Sequence, residues 1–306
     1  MKRVLIATEK PFAPVAVKQI TGILTDAGYD VRMLEKYTAK AELLEAVKDV
    51  HAIIIRSDEI DREVIAAAQT LEIVVRAGAG YDNVELPAAS EKNVCVMNTP
   101  GQNANAVAEL AIGLALYGIR EFFSGKSGGE LRGRTIGLHG YGYVARNVKR
   151  IAEAFGMRVL VYTRYSKAQA VAEGLELAHS LEELYAASDI ISIHVPARGE
   201  HIKSVSYDVM KFLKNGSIIV NTARKEVINE EDLLRIMTGN PTIKYLSDIE
   251  PEQKTTFQEQ FKGRFYCTPK KLGAQTDEAN TNAGVAAAEQ IVNFFEKGDQ
   301  TFRVNV

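Results

Sequence analysis

The chain has 306 residues, 46% of them apolar and 25% charged, which is the composition of a folded globular protein and excludes an intrinsically disordered one. The formal net charge is -2 with both signs intermixed, so we expect neither nucleic acid nor a membrane surface as a partner. No run reaches the roughly 18 apolar residues of a spanning helix. The chain starts with a strand-like segment rather than a signal peptide, so we expect a cytoplasmic protein. The two cysteines, Cys95 and Cys267, lie in strand-like apolar segments, and we expect no metal site.

In the first part of the chain, short apolar runs alternate with helix-patterned stretches. This rhythm predicts parallel strands joined by crossover helices. The predicted strands are 4–7, 31–34, 52–55, 73–75 and 94–97, and a helix is predicted over 15–27. A helix rich in small residues, about 103–118, follows the turn signal Asn-Thr-Pro-Gly at 98–101, and we place a domain boundary there.

The same rhythm then restarts. Strands are predicted over 135–139, 158–162, 189–195, 217–221 and 244–247, and a final helix over 277–297. Two separate runs of alternating strands and helices indicate an α/β protein with two doubly wound, Rossmann-like parallel-sheet domains.

A glycine loop lies between the predicted strand 135–139 and a helix-patterned stretch. Gly140 permits a tight turn, Gly142 allows the backbone to approach phosphates, and the helix offers unpaired N–H groups at its positive end. We therefore expect these glycines, with Tyr143 and Val144 at the helix start, to bind a dinucleotide pyrophosphate. Because such loops are common and Ala145 replaces the third glycine, the rest of the chain must support the assignment.

The end of the predicted strand 158–162 bears on the choice of cofactor. An acidic residue about 20 positions beyond the loop would hold the adenosine ribose in an NAD site. Thr163 and Arg164 stand there instead. Arginine can pair with the 2'-phosphate of NADP, and no carboxylate repels it, so the sequence favours NADP. The alternative is that Arg164 is a solvated loop residue and the protein binds NAD with weaker ribose contacts.

Five motifs occur in order over nearly the whole chain. They are RAGAGYDN at 76–83, NTPGQN at 98–103 with VAE at 107–109, the glycine loop, NTARKEVIN at 221–229, and TPKKLGA at 268–274. Together they resemble the D-isomer-specific 2-hydroxyacid dehydrogenases, most closely the phosphoglycerate dehydrogenases of serine synthesis. The resemblance implies a nucleotide domain, 99–274, inserted in a flavodoxin-like substrate domain formed by 1–98 and 275–306.

The resemblance also implies roles for three residues. Arg224 matches the catalytic arginine that grips the substrate carboxylate and polarises the reacting oxygen, a task that suits a permanently charged planar group. Asp248 matches an aspartate beside the nicotinamide amide. Glu250 precedes a proline, as does the family's glutamate that orients a catalytic histidine, but it follows Asp248 by two residues instead of five. Either Glu250 still reaches the site, or it belongs to a surface turn.

The family's catalytic histidine is absent, and Lys270 and Lys271 occupy its segment. Counting back from Gly273 selects Lys271, which we favour, whereas counting forward from Thr268 selects Lys270. To accept a proton near pH 7, a lysine must have its pKa lowered from about 10.4 by burial or neighbouring cations. In the reducing direction a protonated lysine is already a competent acid. The hypothesis is that Lys271 replaces histidine, and the alternative is a degenerate, slow enzyme.

Further contacts are implied by the resemblance. The additional cofactor-binding residues are Val195, Thr222, Ala223 and Ala79, and the substrate-binding residues are Arg56, Ser57, Gly78 and Gly80. Arg76 either adds a cation to the substrate site or has a structural role. The implied substrate is a small phosphorylated 2-hydroxy or 2-oxo acid. A homodimer formed through the nucleotide domain is expected, with Phe122 and Phe123 either at the interface or in the core.

Three functions are thus compatible with the sequence. The first is D-3-phosphoglycerate dehydrogenase, with reversible hydride transfer between 3-phosphoglycerate or 3-phosphohydroxypyruvate and a nicotinamide cofactor. The second is an NADPH-dependent glyoxylate or hydroxypyruvate reductase, which Thr163 and Arg164 favour. The third is a catalytically decayed, cofactor-sensing binding protein, which the missing histidine favours and Arg224 opposes.

Overall fold

The computed structural model describes residues 1–305, which form two compact units. The first unit consists of Met1–Asn103 and the chain from Gln275 onward, and the second of Ala104–Ala274. The elements of the first unit before the second begins are β1 (Arg3–Thr8), α1 (Pro14–Asp26), β2 (Asp30–Glu35), α2 (Lys40–Ala46), β3 (Ala52–Ile55), α3 (Arg62–Ala67), β4 (Ile73–Arg76), α4 (Leu86–Glu91) and β5 (Cys95–Asn98). Those of the second unit are α5 (Ala104–Ile119), β6 (Thr135–His139), α6 (Tyr143–Ala154), β7 (Arg158–Tyr162), α7 (Lys167–Ala172), β8 (Glu176–Leu177), α8 (Leu181–Ala187), β9 (Ile190–Ile193), α9 (Tyr207–Met210), β10 (Ile218–Asn221), α10 (Glu230–Gly239), β11 (Lys244–Ser247), α11 (Lys254–Gln260) and β12 (Phe265–Cys267). The first unit is completed by α12 (Asp277–Lys297).

The sheet of the first unit has the strand order β2-β1-β3-β4-β5, and every pairing is parallel. This is the flavodoxin-like order. Helices cover both faces of such a sheet, which is why its inner strands are nearly continuous apolar runs. All four residues of β3, for example, are buried.

The sheet of the second unit has the order β12-β11-β10-β9-β6-β7-β8, again with parallel pairings throughout. Six of these strands follow the Rossmann order, and β12 adds a seventh at one edge. The strand order reverses between β6 and β9, so their carboxyl ends border the crevice where open α/β sheets bind ligands. Both units therefore confirm the predicted fold class.

The predicted strands are all observed, with ends shifted by at most two residues. Sequence analysis did not assign β8 and β12, which lie at the two edges of the second sheet. An edge strand has only one hydrogen-bonded neighbour and less apolar burial. The three residues of β12 are only half-buried, so the apolar pattern there is weak.

The helix α12 is 21 residues long and packs against α1 through a face of small residues. Gly284 is at the tightest point, where a Cβ atom would lie 2.5 Å from Ile20 Cδ1 and 3.0 Å from Phe12 Cε1. Because Ile20 and Phe12 are buried, they have little room to move. Within residues 1–305, no helix combines the length and the apolar character needed to cross a membrane.

We expect the substitution Gly284→Ala to lower the free energy of unfolding. Overpacking a dense core costs about 1–3 kcal/mol, whereas replacing a helical glycine by alanine gains only about 1 kcal/mol. Equilibrium unfolding in urea would measure the net loss.

Gly22→Ala is the matched control, because Gly22 lies within α1 and has no atom within 4 Å of its Cβ position. This variant should be more stable by about 1 kcal/mol. Equal effects of the two substitutions would contradict the packing argument.

Candidate active site

The turn after β6 requires glycine for two reasons. Gly140 has φ +98°, a conformation that side chains rarely adopt. A Cβ atom there would also lie 2.9 Å from the carbonyl oxygen of His194 and 2.9 Å from Val195 Cγ1. The turn therefore lies directly against the chain leaving β9, with Val195 buried beneath it.

The helix α6 begins with unsatisfied backbone donors. Gly142 is its N-cap and provides no side-chain cap, and its first turn carries no acidic residue. Nothing lies within 4 Å of the Cβ position of Gly142. Tyr143 is exposed and Val144 half-buried, whereas Ala145 is fully buried in the core, where a small residue is needed. Free N–H groups, a positive dipole end and open space together suit an anion such as a pyrophosphate.

Two arginines, Arg164 after β7 and Arg146 of α6, differ in whether their charges are paired. Arg164 is exposed and makes no hydrogen bond or ion pair with another residue in the part of the chain described. Thr163 is half-buried, and its Oγ1 accepts a weak hydrogen bond from the Tyr165 N–H at 3.4 Å. Arg146 of α6, in contrast, donates to Glu173 at 2.8 Å and to the Tyr165 hydroxyl at 2.8 Å. The charge of Arg164 thus remains uncompensated, which is what recognition of a further phosphate requires.

The turn after β10 is built on Asn221, which sequence analysis did not single out. Its fully buried side chain accepts a hydrogen bond from the Ala223 N–H at 3.0 Å and donates one to the Arg224 carbonyl oxygen at 3.0 Å. The half-buried guanidinium of Arg224 uses one donor on the Ala223 carbonyl oxygen, at 2.9 Å. Thr222 Oγ1 is buried and has no hydrogen-bond partner among the described residues. The turn thus presents a cation on a fixed backbone beside an unsatisfied hydroxyl.

Asp248 follows β11 and contacts the segment of the two lysines. Its carboxylate is 1% exposed and accepts hydrogen bonds from Thr268 Oγ1 at 2.9 Å and from the backbone N–H groups of Leu272 and Gly273, both at 2.8 Å. The carboxylate that the resemblance places beside the nicotinamide amide therefore also holds a loop of its own unit.

Lys270 and Lys271 are both exposed. Burial is one way in which a lysine can become a base near pH 7, and neither lysine is buried. Glu250 has a side chain that is 58% exposed, and it accepts a hydrogen bond from Lys254 at 3.0 Å. This contact agrees with a surface turn, and a catalytic role for Glu250 stays a prediction.

Two histidines border the candidate site, and both are held neutral at pH 7. Burial lowers the pKa of His139 to about 4, with a smaller contribution from His201. Burial also lowers the pKa of His194 to about 3, with a contribution from His139. His194 Nε2 lies 2.9 Å from Ser192 Oγ, and His139 Nδ1 lies 3.3 Å from the Tyr185 hydroxyl. These contacts fit structural roles at the ends of β9 and β6.

In the first unit, Arg56 follows β3 and is held by neutral acceptors. Its Nη1 donates to the carbonyl oxygens of Lys10 and Pro11 at 2.9 Å and 3.1 Å, and its Nη2 to Asn280 Oδ1 at 2.5 Å. Burial lowers the pKa of Arg56, but a guanidinium stays protonated in proteins. A positioned cation is the result, and the next residue, Ser57, is exposed.

Asp58, another residue that sequence analysis missed, supports this cation. Its buried carboxylate accepts hydrogen bonds from the Arg56 N–H at 3.0 Å, the Glu9 N–H at 2.7 Å and the Tyr37 hydroxyl at 2.9 Å. The contact contributes, after burial, to raising the pKa of Tyr37. Asp58 therefore ties the ends of β1 and β3 together, and its position directly after Arg56 and Ser57 was the only signal in the sequence.

The last residue of β4, Arg76, brings a second cation to the carboxyl end of the same sheet. Arg76 Nε donates to the Arg56 carbonyl oxygen at 2.9 Å. A Cβ atom on Gly78, which has φ +148°, would lie 1.5 Å from Arg76 Nη1, so only glycine permits this placement. Asn98 Nδ2 donates to the exposed Ala79 carbonyl at 2.6 Å, which fixes the turn ahead of the half-buried Gly80.

Comparisons with known proteins identify the family. A family model for the catalytic domain of D-isomer specific 2-hydroxyacid dehydrogenases matches residues 7–305. The chain is 45% identical to a 3-phosphoglycerate dehydrogenase from Entamoeba histolytica crystallised with NAD+, with a TM-score of 0.87 over 100% of this chain and 99% of that one. It is also 32% identical over 283 residues to a hydroxypyruvate reductase from Thermotoga maritima, which covers 86% of this chain and 90% of that protein.

A third relative differs in length. The D-3-phosphoglycerate dehydrogenase of Archaeoglobus fulgidus is 35% identical over 271 residues, which are 83% of this chain but 51% of the relative. The chain thus spans about half the length of this and other curated phosphoglycerate dehydrogenases that it matches. The family model nevertheless covers nearly all of residues 1–306, and the chain belongs to the D-isomer-specific 2-hydroxyacid dehydrogenase family.

Proposed function

We propose that the chain is a D-3-phosphoglycerate dehydrogenase, which transfers a hydride reversibly between a nicotinamide cofactor and C2 of 3-phosphoglycerate or 3-phosphohydroxypyruvate. One observation carries the hydride-transfer chemistry, the position of Arg224 relative to the glycine turn. Asn221 of β10 and His139 of β6 both pair in register with Ile193 of β9. The glycine turn and the Arg224 turn therefore both leave the carboxyl end of this sheet, two strand spacings, or roughly 10 Å, apart.

The residues of the second unit fit a nicotinamide dinucleotide. The uncapped start of α6 and the open space at Gly142 suit the pyrophosphate, and the unsatisfied Thr222 hydroxyl suits a polar group of the ligand. We assign nucleotide binding to this unit, with Val195, Ala223 and Asp248 toward the nicotinamide. When bound, the cofactor supplies or accepts the hydride.

The protein's own groups supply the remaining chemistry. Arg224 binds the substrate carboxylate and polarises the reacting oxygen, because its remaining guanidinium donors can form charge-assisted hydrogen bonds. Lys271 donates the proton to that oxygen during reduction, a role for which an exposed ammonium group needs no burial. In the first unit Arg56, Ser57 and the 78–80 turn bind substrate anions, and Arg76 adds a second cation.

We also propose that the protein is a homodimer formed through the nucleotide-binding unit. Tyr117 of α5 packs edge-to-face against Phe122 and Phe123, with ring centroids 5.1 Å and 5.2 Å apart. Phe123 remains 68% exposed despite this contact, and it is a large apolar side chain. In a dimer formed through this unit, the interface would cover this side chain.

The competing function is an NADPH-dependent glyoxylate or hydroxypyruvate reductase. The uncompensated charge of Arg164 favours NADP, and the related Thermotoga maritima protein bears the name hydroxypyruvate reductase. The related Entamoeba histolytica enzyme holds NAD+ instead. Substrate and cofactor preference are therefore tested separately.

Steady-state assays with phosphohydroxypyruvate, hydroxypyruvate and glyoxylate test the substrate. A hydrogen bond to a charged group contributes about 1.5–3 kcal/mol, so the phosphate should raise kcat/KM about 10- to 100-fold over hydroxypyruvate. Turnover of glyoxylate without turnover of phosphohydroxypyruvate would favour the reductase. Cofactor binding without turnover of any of the three would favour the decayed binding protein.

Lys271→Ala should lower the rate of reduction by about 10²- to 10⁴-fold, the usual contribution of a general acid. Lys270→Ala is the matched control, because the adjacent lysine is also exposed, and it should change the rate far less. Single-turnover kinetics would measure both. Rates like those of the unaltered protein in both variants would rule out a lysine proton donor.

Arg164→Ala should weaken catalysis with NADPH about 10- to 100-fold and leave catalysis with NADH nearly unchanged, because only NADPH carries the 2'-phosphate. Arg158→Ala, at the opposite end of β7, is the control for loss of an exposed arginine. Comparing kcat/KM for the two cofactors measures the preference. An equal loss with both would show that Arg164 does not recognise the 2'-phosphate.

A further inference from the structure

A single buried carboxylate holds both flanks of the segment that contains the two lysines. Asp248 Oδ1 accepts hydrogen bonds from Thr268 Oγ1 and from the Leu272 N–H, and Asp248 Oδ2 accepts one from the Gly273 N–H. Thr268 precedes Lys270 by two positions, and Leu272 directly follows Lys271. We propose that Asp248 and Thr268 are positioning residues that fix the place of the lysine side chains, an inference that rests on the proposed role of Lys271 as proton donor.

This anchor, the Asp248 carboxylate with its three hydrogen bonds, matters because the segment lacks regular secondary structure. Residues 268–276 belong to no helix or strand, and Lys270 and Lys271 are exposed. Hydrogen bonds to a carboxylate are stronger than those between neutral groups, and these three are 2.8–2.9 Å long. Gly273 allows the close approach, because a Cβ atom there would lie 3.0 Å from Asp248 Oδ2.

The anchor is itself fixed to the sheet. The Asp248 N–H donates to the Asn221 carbonyl oxygen at 2.9 Å, and the Thr268 N–H donates to the Ser247 carbonyl oxygen at 3.0 Å. Asn221 in turn holds the Arg224 carbonyl through its side chain at 3.0 Å. The arginine proposed to polarise the reacting oxygen and the lysine proposed to protonate it are thus placed by one connected set of hydrogen bonds.

This arrangement explains how a flexible side chain can act in proton transfer. Lysine has four rotatable side-chain bonds, so its reach depends on where its backbone is held. Catalysis is sensitive to displacements of about 1 Å in a reacting group. Loss of these hydrogen bonds to Asp248 should therefore slow protonation of the reacting oxygen without altering the groups that bind the cofactor phosphates.

Thr268→Val tests the proposal, because it removes the hydroxyl donor and leaves the Asp248 carboxylate in place. The single-turnover rate of reduction, measured with the 2-oxo acid that the unaltered protein reduces best, should fall about 10-fold or more, while NADH affinity measured by fluorescence stays within twofold. Thr268→Ser retains the donor and should restore the rate. Thr135→Val, which alters a buried threonine at the start of β6, should leave the rate unchanged. An unchanged rate in Thr268→Val would overturn the proposal.

A double-mutant cycle shows whether Thr268 acts through Lys271. The Thr268→Val and Lys271→Ala double variant should be no slower than Lys271→Ala alone, because the anchor has no donor left to position. Losses that multiply would overturn the positioning role while leaving Lys271 as the donor. If Lys271→Ala alone is as fast as the unaltered protein, the proton-donor assignment fails first, and the proposal fails with it.

Amide hydrogen exchange measures how firmly residues 269–274 are held, and it requires no catalytic turnover. In Thr268→Val and in Asp248→Asn, peptides covering 269–274 should exchange at least 10-fold faster, and peptides from β6 and β7 should not change. Protection of 269–274 equal to that of the unaltered protein would show that the carboxylate does not hold the segment.

Discussion

The buried side chain of Asn221 is the constraint on which the candidate site of the second unit depends. Its side-chain amide pairs with one backbone donor and one backbone acceptor of the turn after β10. Its backbone carbonyl oxygen accepts a hydrogen bond from the N–H of Asp248, which follows the neighbouring strand. An asparagine can do this because its side chain carries both an acceptor and two donors. A buried polar group left unpaired costs about 1–3 kcal/mol, so the pairing also makes the turn rigid. The side chain of Asn221 therefore positions the Arg224 turn, and its backbone carbonyl oxygen links that turn to Asp248, which holds the lysine segment.

The parallel sheet explains why groups far apart in the sequence meet at one end of the sheet. Every crossover returns the chain to the same end of the sheet, so the carboxyl ends of β6, β9, β10 and β11 lie side by side. Each end is followed by irregular backbone, where polar side chains and free N–H groups can be presented. For the same reason, polar groups of the first unit gather at the carboxyl end of its sheet, where Arg56 follows β3 and Arg76 ends β4. The two units thus use one architecture to present different chemistry: backbone donors and an arginine turn in one, and paired cations in the other.

The sequence predicted the strands because burial on both faces makes them apolar without interruption, as in β3 and β10. It also identified Gly140, since the need for a positive φ limits the position to glycine. It could not identify the roles of Asp58 and Thr268, because their partners are distant along the chain. Thr268 and Asp248, for example, are 20 positions apart and meet only when β11 and β12 pair. The partners of Asn221 are only two and three positions away, but their pairing depends on how the turn after β10 folds. The exposure of Glu250 likewise depends on the fold, in which its side chain is 58% exposed and pairs with Lys254.

The proposed replacement of histidine by lysine changes the group that transfers the proton. Histidine exchanges its proton near neutral pH, so one imidazole can act as acid in reduction and as base in oxidation. An ordinary lysine is almost entirely protonated at neutral pH and is therefore available as an acid but rarely as a base. Lys270 and Lys271 are both exposed, and their segment is held by the Leu272 and Gly273 N–H groups, which donate to Asp248. A phosphorylated substrate would add negative charge nearby, which favours the protonated form of an amine. In the proposed reaction, a lysine at this position therefore serves as the proton donor when the 2-oxo acid is reduced.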